Sequence, residues 1–380
     1  MSLHIGLDGS RIAKAHYTGT EQYSHAIFTH LFKVAPHHRY TIYAPAKPTH
    51  PLDTGRARVD WRIIPFPRLW TQLRLSLEFL TTRDQPDVLF VPSHTIPLIH
   101  PKATVTTVHD LGFHHQPHFY GRIERLYQQF GLAQAVQAST RIIAVSEATK
   151  DDLVRFTQYP TERITVIHHG VDHDRYRPPT VTEQPPRHIA NRQPYLYTVG
   201  RLEAKKQTPQ LIRAFRTLKE RYGVPHRLVL AGQPGAHGYA EVQAALQELP
   251  PSLRSDVIEL GYVSDSDHAK WLRFADCFVF PSGFEGFGLP VLEAMASDVP
   301  VVTSRASSLP EVVGSAGLLV NQTSSDAIAE GVVRIVSHPS LRAQLIAAGR
   351  ARLKHFSWER AALATIGVIE AAAKEVMRAN

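Results

Sequence analysis

The stretch Asp276–Pro300, DCFVFPSGFEGFGLPVLEAMASDVP, constrains the fold more than any other part of the chain, because it sets an apolar strand, a glycine-rich turn and a helix start in immediate succession. Cys277 to Phe280 is a short apolar run that Pro281, Ser282 and Gly283 end abruptly. Pro290 stands where a first-turn proline is tolerated, ahead of the apolar positions Val291, Leu292, Ala294 and Met295. Gly283, Gly286 and Gly288 let backbone approach a ligand closely, and the N–H groups of a helix start favour an anion there, for which a phosphate is the natural candidate. Strand, turn and helix in this order form the repeating unit of a parallel sheet covered on both faces.

The unit recurs along the chain. Leu3–Leu7 is a strand followed by Asp8, Gly9 and a polar loop to Gly19, which leads into a helix carrying Tyr23, Ile27, Leu31 and Phe32. No G-x-G-x-x-G follows this strand, so it is not a dinucleotide fingerprint, and Gly19 reads either as a plain turn residue or as part of a ligand loop. Further strands are expected at 39–44, 59–65, 87–92, 105–108, 141–145 and 163–167, with helices over 69–83 and 119–138. Ser146 is placed to cap the helix that follows. The proline-rich stretch 177–194, with five prolines and no apolar periodicity, reads as a linker. Beyond it, strands are expected at 195–200, 227–232, 257–263, 277–280 and 299–303, a turn at 307–311, and helices over 324–338 and 357–379.

Several polar side chains fall at strand ends, where such folds bind ligands. His109 follows the strand 105–108 and is either satisfied by local backbone or a ligand contact. Arg201, Lys205 and Lys206 follow the strand 195–200 and read as solvated surface or as an anion clasp. Glu285 and Glu293, eight residues apart, are either ordinary loop and helix-surface carboxylates or acceptors for sugar hydroxyls, one for a ribose and one for a transferred sugar, with a diphosphate between them on backbone amides. His114, His115 and His118 raise the question of a metal, but no cysteine or His-Glu pattern accompanies them in a chain of 22 histidines, so no metal site is expected.

The 380 residues suffice for two domains with separate cores. With 42 Lys and Arg against 34 Asp and Glu, the formal charge of +8 suits phosphorylated substrates or an anionic membrane surface. Nucleic acid is not expected as a partner, since neither zinc-finger spacing nor an aromatic RNA-binding signature is present. The single cysteine, Cys277, rules out a disulfide within the chain and fits a reducing compartment. No apolar window has the length of a membrane span, and the expectation is a cytoplasmic protein, peripheral at the inner membrane face where its basic surface meets anionic lipid.

The Glu-x7-Glu arrangement within FEGFGLPVLEAMA resembles the signature of the family 4 retaining glycosyltransferases, and the resemblance extends over nearly the whole chain. It implies the GT-B fold: α/β, with two Rossmann-like domains facing each other across a cleft. The N-terminal, acceptor-side domain would span 1–176, the linker 177–194 and the donor-binding domain 195–356, and a helix over 357–380 would cross back to the first domain. It also implies transfer of a sugar from a nucleotide diphosphate donor with retention of configuration and no required metal or other cofactor. GRLEAKK matches the family's GRLxxxK, in which Arg201 and Lys206 would clasp the diphosphate; Lys205 is extra, and Gln207 stands where the family often has Asn or Gly.

The same resemblance assigns the remaining site. His109, in TVHDLGF, would contact the donor sugar near its 6-hydroxyl; Gly19 and Thr20 would approach the donor phosphates or the acceptor. Tyr262 and Val263 would pack beside the base, Gly286, Phe287, Gly288 and Leu289 would seat the donor, Glu285 would position the sugar and Glu293 the ribose. Ser146 falls in a VSxxT-type segment facing the cleft, and His169 replaces the Asn of the family's NGVD. The HDLGFHHQPHF context is closest to mannosyltransferases using GDP-mannose, ahead of UDP-glucose enzymes, with a glycan or lipid-linked acceptor. A GT-B epimerase or hydrolase, or a non-catalytic sugar-nucleotide module, would share the architecture.

Overall fold

The computed structural model describes residues 2–14, 17–186 and 193–379. The chain divides into two compact units, one made of residues up to Phe113, Gly121–Gly170 and those from Phe356 on, the other of His114–Tyr120 and Val171–His355. The chain therefore passes between units at Gly170, ahead of the proline-rich stretch, whose described part belongs to the second unit.

The first unit opens with β1 (His4–Asp8), α1 (Gly19–Val34), β2 (Arg39–Ala44) and β3 (Arg58–Ile63). A π-helical turn (Trp70–Leu75) then runs into α2 (Ser76–Thr81), where the apolar pattern alone predicts one continuous helix. Next come β4 (Val88–Val91), β5 (Thr104–Val108), the short α3 (Gly112–His115), α4 (Arg122–Ala138), β6 (Arg141–Ala144), α5 (Glu147–Thr157) and β7 (Ile164–Val166). The seven strands form one parallel sheet in the order β3-β2-β1-β4-β5-β6-β7. Its central strands β4 and β5 are buried throughout, as the continuous apolar runs require of a sheet covered on both faces, whereas the edge strand β3 is largely exposed.

The second unit contains β8 (Tyr195–Val199), α6 (Thr208–Glu220), β9 (Arg227–Ala231), α7 (Tyr239–Gln247), α8 (Pro251–Arg254), β10 (Val257–Gly261) and α9 (Asp265–Arg273). It continues with β11 (Cys277–Phe280), α10 (Leu289–Ala296), β12 (Val301–Ser304), α11 (Leu309–Val313), β13 (Gly317–Val320), α12 (Ser325–Val336) and α13 (Pro339–Leu353). The sheet is again parallel, in the order β10-β9-β8-β11-β12-β13. Expected as a turn, 307–311 leads instead into α11, because Pro310 sits in the first turn of a short helix whose Leu309, Val312 and Val313 are buried.

The final helix, α14 (Trp358–Ala379), belongs to the first unit, as the resemblance implies. It lies against α1 and against β4, β5 and β6 with a buried stripe that includes Ala361, Ala362, Ile366, Ile369, Ala372 and Ala373. Alanines at these positions let the two helices approach closely. A hydrogen bond from His38 Nε2 to Glu370 at 3.2 Å and an ion pair from Arg141 to Glu375 at 3.2 Å fix it further.

Candidate active site

In each sheet the chain moves outward in one direction from the first strand and then in the other, so each has one point where neighbouring strands send their connections to opposite sides. Such switch points leave a crevice at the carboxyl ends of the strands. In the second unit the switch lies between β8 and β11, whose following loops carry GRLEAKK and PSGFEGFG. The two loops are tied together: the Gly283 N–H donates to Lys205 O at 3.2 Å, and the Lys206 ammonium bonds directly to the Glu285 carboxylate. Lys206 also lies 5.7 Å from the ring centroid of Phe280 at the end of β11. Arg201 is exposed and has no side-chain partner among the described residues.

The backbone beneath these side chains is closely packed. Gly200, Gly232 and Gly261 end β8, β9 and β10, and the N–H groups of the first two donate to Ala231 O at 3.0 Å and Gly261 O at 2.7 Å. A Cβ on Gly232, whose φ is +146°, would lie 1.7 Å from Gly200 O, so only glycine lets these strand ends meet. The glycines of the second loop serve a different end: Gly288, with φ of +107°, turns the chain into α10 and leaves room for Leu309.

Hydroxyls at the end of β12 and just beyond it hold the Glu285 loop in place. Thr303 donates to Phe280 O at 2.7 Å, Ser304 to Ser282 O at 2.7 Å, and Ser308 to Glu285 O at 2.9 Å and Phe287 O at 2.8 Å; Ser307 also bonds to Glu285 O. Their carbonyls taken up in this way, Phe280 to Phe287 form a braced turn rather than a mobile loop. Glu293 is not a helix-surface carboxylate. It is buried in α10 and bonds through Oε2 to His268 Nε2 at 3.0 Å, while His268 Nδ1 lies 2.9 Å from the Tyr197 hydroxyl. Tyr262 stands exposed just beyond β10, with Val263 partly buried beside it.

The segment His114–Tyr120 adds contacts that local sequence does not announce. His115 stacks on Phe284, with centroids 4.8 Å apart, and the Lys205 ammonium bonds to the Tyr120 hydroxyl at 2.5 Å while lying 4.8 Å from that ring's centroid. Lys205, the extra cation of the motif, is thus held away from Lys206 and its partner Glu285. The nearest thing to a signal was the run of aromatic and histidine residues after Gly112.

In the first unit the switch lies between β1 and β4. Gly19 and Thr20 are the first two residues of α1, capped by Thr18 in a box with Glu21. Glu21 also takes Lys14 at 2.7 Å and Arg11 at 3.6 Å, which folds the preceding loop onto the helix start. His109, after β5, donates from Nε2 to Pro92 O at 2.9 Å, because a carbonyl can only accept; Nδ1 is therefore the acceptor nitrogen of the neutral ring. Burial pushes its pKa down to about 4, so the ring is neutral at physiological pH. Tyr23 packs edge-on against it at 4.8 Å, and His169 at 5.8 Å, itself stacked on Trp358 at 5.5 Å, closes the cluster. His169 is likewise held well below its ordinary value by burial. Ser146 caps α5, accepting from the Thr149 N–H at 3.0 Å, and Thr149 donates to His109 O at 3.3 Å.

Among the described residues, the group of His and acidic side chains close enough to share an ion is His37, His38 and Glu370. There His38 is already engaged on both sides, by the Leu3 N–H at 3.1 Å and by Glu370 at 3.2 Å.

Two parallel α/β units, each with one reversal of strand order, have the architecture of the GT-B class of glycosyltransferase fold. The family described as glycosyltransferase family 4 matches residues 17–175, and that described as glycosyl transferases group 1 matches 181–352. O-antigen chain mannosyltransferase B of Escherichia coli is 32% identical over 269 residues, covering 70% of this chain and 69% of its own length. D-inositol 3-phosphate glycosyltransferase of Streptomyces griseus is 33% identical over 270 residues, 65% of this chain and 57% of its own length. Among solved structures, a sucrose-phosphate synthase from Thermosynechococcus elongatus aligns with a TM-score of 0.75 and 19% identity over 100% of both chains. The Anabaena protein HepE, solved with UDP and glucose, gives 0.71 and 18% over 97% of this chain and 100% of its own. The chain belongs to glycosyltransferase family 4.

Proposed function

We propose that this glycosyltransferase moves a hexose, mannose first and glucose second, from a nucleotide diphosphate donor to a glycan or lipid-linked acceptor, with retention of configuration and without a metal. The observation that carries the reading is the junction at the second switch point, where Lys206 meets Glu285 and the exposed Arg201 has no side-chain partner among the described residues. A diphosphate leaving group needs two cations and a polar backbone cradle, and these loops supply them in the form electrostatic catalysis requires. Arg201 and Lys206 take the phosphates, with the backbone of Gly286, Phe287, Gly288 and Leu289 completing their seat.

Glu285 accepts hydroxyls of the transferred sugar once Lys206 turns part of its hydrogen-bonding capacity to phosphate, an ammonium having three donors. Glu293 offers the ribose an acceptor whose orientation His268 fixes, and Tyr262 and Val263 lie beside the base. Neutral His109 accepts the 6-hydroxyl on Nδ1. With no separate base in the set, the departing phosphate takes the acceptor's proton on the face it leaves. Gly19 and Thr20, at the start of α1, line the acceptor side. Mannose is favoured by the HDLGFHHQPHF context and by the name of the E. coli relative. The inner, cytoplasmic face of the membrane is the site at which a lipid-linked acceptor would be met.

The test is a thermal-shift panel of GDP, UDP, ADP and their sugar conjugates against the wild-type chain and Arg201→Ala, whose exposed side chain can be removed without unfolding the loop. Selective stabilisation by GDP and GDP-mannose, weakened in the variant, is expected. Stabilisation by UDP compounds would overturn the mannose assignment, and no shift with any nucleotide would overturn the donor site.

A further inference from the structure

Two glutamines close on the turn that carries Glu285. Gln207 follows Lys206 and occupies the N-cap position of α6, and Gln116 occupies the same position ahead of a 3-10 turn, Pro117–Phe119. Cap positions select Ser, Thr, Asn and Asp, whose short side chains reach the free N–H groups of the first turn. Neither glutamine does so, and no side-chain capping bond is made at either helix start. Both side chains extend instead to Gly283, two residues before Glu285. A Cβ there would lie 2.9 Å from Gln116 Nε2 and 3.4 Å from Gln207 Nε2, with Lys205 O at 3.1 Å. Glycine at 283 therefore gives the two amides room to come together on the turn.

Each residue carries a cost that its contacts within the chain leave standing. Gln207 holds φ of +57°, a left-handed conformation that suits glycine and the short polar side chains but not a glutamine. Gln116 Oε1 is buried and has no hydrogen-bond partner among the described residues, so nothing there offsets its loss of water. Strain and an orphaned acceptor at one turn point to side chains held there for a ligand.

The mount is firm. His115, next to Gln116, stacks on Phe284 with centroids 4.8 Å apart, and Tyr120, at the end of the same segment, bonds to the Lys205 ammonium at 2.5 Å. With that ammonium engaged, the groups that close on Gly283 are uncharged: two amides, and a Lys205 carbonyl that accepts the Gly283 N–H at 3.2 Å. A primary amide both donates and accepts, as a sugar hydroxyl does. Phosphate calls for cations, which the same loop supplies separately as Arg201 and Lys206.

We infer that Gln116 and Gln207 read the ring hydroxyls of the transferred hexose and set which epimer is taken, a step that rests on the donor reading above, in which Glu285 positions that sugar. An epimer moves one hydroxyl and leaves an amide of this turn without its partner, which is how a site built for a hydroxyl discriminates.

The experiment is isothermal titration calorimetry of the full chain with GDP, GDP-mannose and GDP-glucose, and with UDP, UDP-glucose and UDP-galactose, so that each set holds a sugar-free nucleotide and two epimers. In the set it binds, wild type should take one epimer about tenfold or more tightly than the other. Gln116→Met and Gln207→Gly should each bring the epimers to within about threefold of one another, with affinity for the sugar-free nucleotide unchanged. Gln116→Met removes an orphaned acceptor and Gln207→Gly a strained side chain, so both should melt at or above the wild-type temperature, which separates lost recognition from lost structure. The substitutions lie on separate segments, and either alone decides the outcome. Variants with the wild-type preference, or a wild type that does not distinguish the epimers it binds, would overturn this inference and leave the donor site standing. So would a parallel loss of the sugar-free nucleotide in both variants, which would assign the amides to the phosphate seat. A wild type that binds no nucleotide would overturn the donor reading and this inference together.

Discussion

At the residue scale, Lys206 and Glu285 are counter-ions, and this couples the effects of losing either. Lys206→Ala leaves a half-buried carboxylate without its partner and, on the proposed donor site, removes a phosphate cation; the expected loss in transfer is about 2–4 kcal/mol, roughly two orders of magnitude in kcat/KM. Glu285→Gln should cost less in the Lys206→Ala background than in wild type, with a coupling on the order of 1–3 kcal/mol. Initial rates for the four proteins measure it, and strict additivity would show that the pair acts independently. The histidines make a pH prediction. His109 and His169 bind protons less readily folded than unfolded, so their contribution to stability is complete above about 6.5 and is lost as pH falls, for His109 toward about 4. Buried Asp8, with its pKa raised by desolvation, acts in the opposite direction at acid pH. Melting temperatures between pH 7 and pH 4.5 should fall, and His169→Phe, which keeps a ring against Trp358, should make that fall shallower. An unchanged slope would show that this cluster does not set acid stability.

At the scale of elements, the loop between β8 and α6 carries a measurable strain. Gln207 adopts φ of +57°, the left-handed region, where it precedes α6. That explains why the family often has Asn or Gly at this position: a side chain there costs about 1–2 kcal/mol unless it is glycine or asparagine. Gln207→Gly should therefore raise stability by about 1 kcal/mol, read as a higher midpoint in urea, while the Lys206–Glu285 contact is kept. A lower midpoint would mean that the Gln207 side chain contributes more than its backbone costs. The strand-glycine-helix unit at 277–296 was legible because every signal in it is local: an apolar run, Pro281, three glycines and Pro290. The brace from Ser304, Ser307 and Ser308 was not, since it joins serines to carbonyls some 22 residues away, as Ser304 to Ser282, and such serines read equally well as turn residues. The same holds for Glu293, whose burial depends on His268 from a neighbouring helix. The π-helical turn escaped because a leucine-rich pattern fits a regular helix equally well.

At the scale of the whole molecule, strand order is non-local, so the alternation of strands and helices implied two parallel sheets without telling where each reverses direction. Those reversals nevertheless decide that the loops after β8 and β11 meet. The return of the chain's last helix to the first unit was legible only through resemblance, because an alanine-rich helix carries no address in its own pattern. Its packing gives the final prediction. Phe356, Trp358, Ile366, Val368 and Ile369 are buried, and at about 1.5–3 kcal/mol each they contribute on the order of 10 kcal/mol. Domains have only about 5–15 kcal/mol of net stability, so the first unit should not survive without them. The second unit is complete by His355 and holds Arg201, Lys206, Glu285 and Glu293. A chain ended after His355 should lose a large part of its cooperative melting signal in circular dichroism while GDP or UDP still raises the melting temperature of what remains. If it instead melted as the full chain does, α14 would be an accessory and the first sheet would hold its core through α1 and β1–β7 alone.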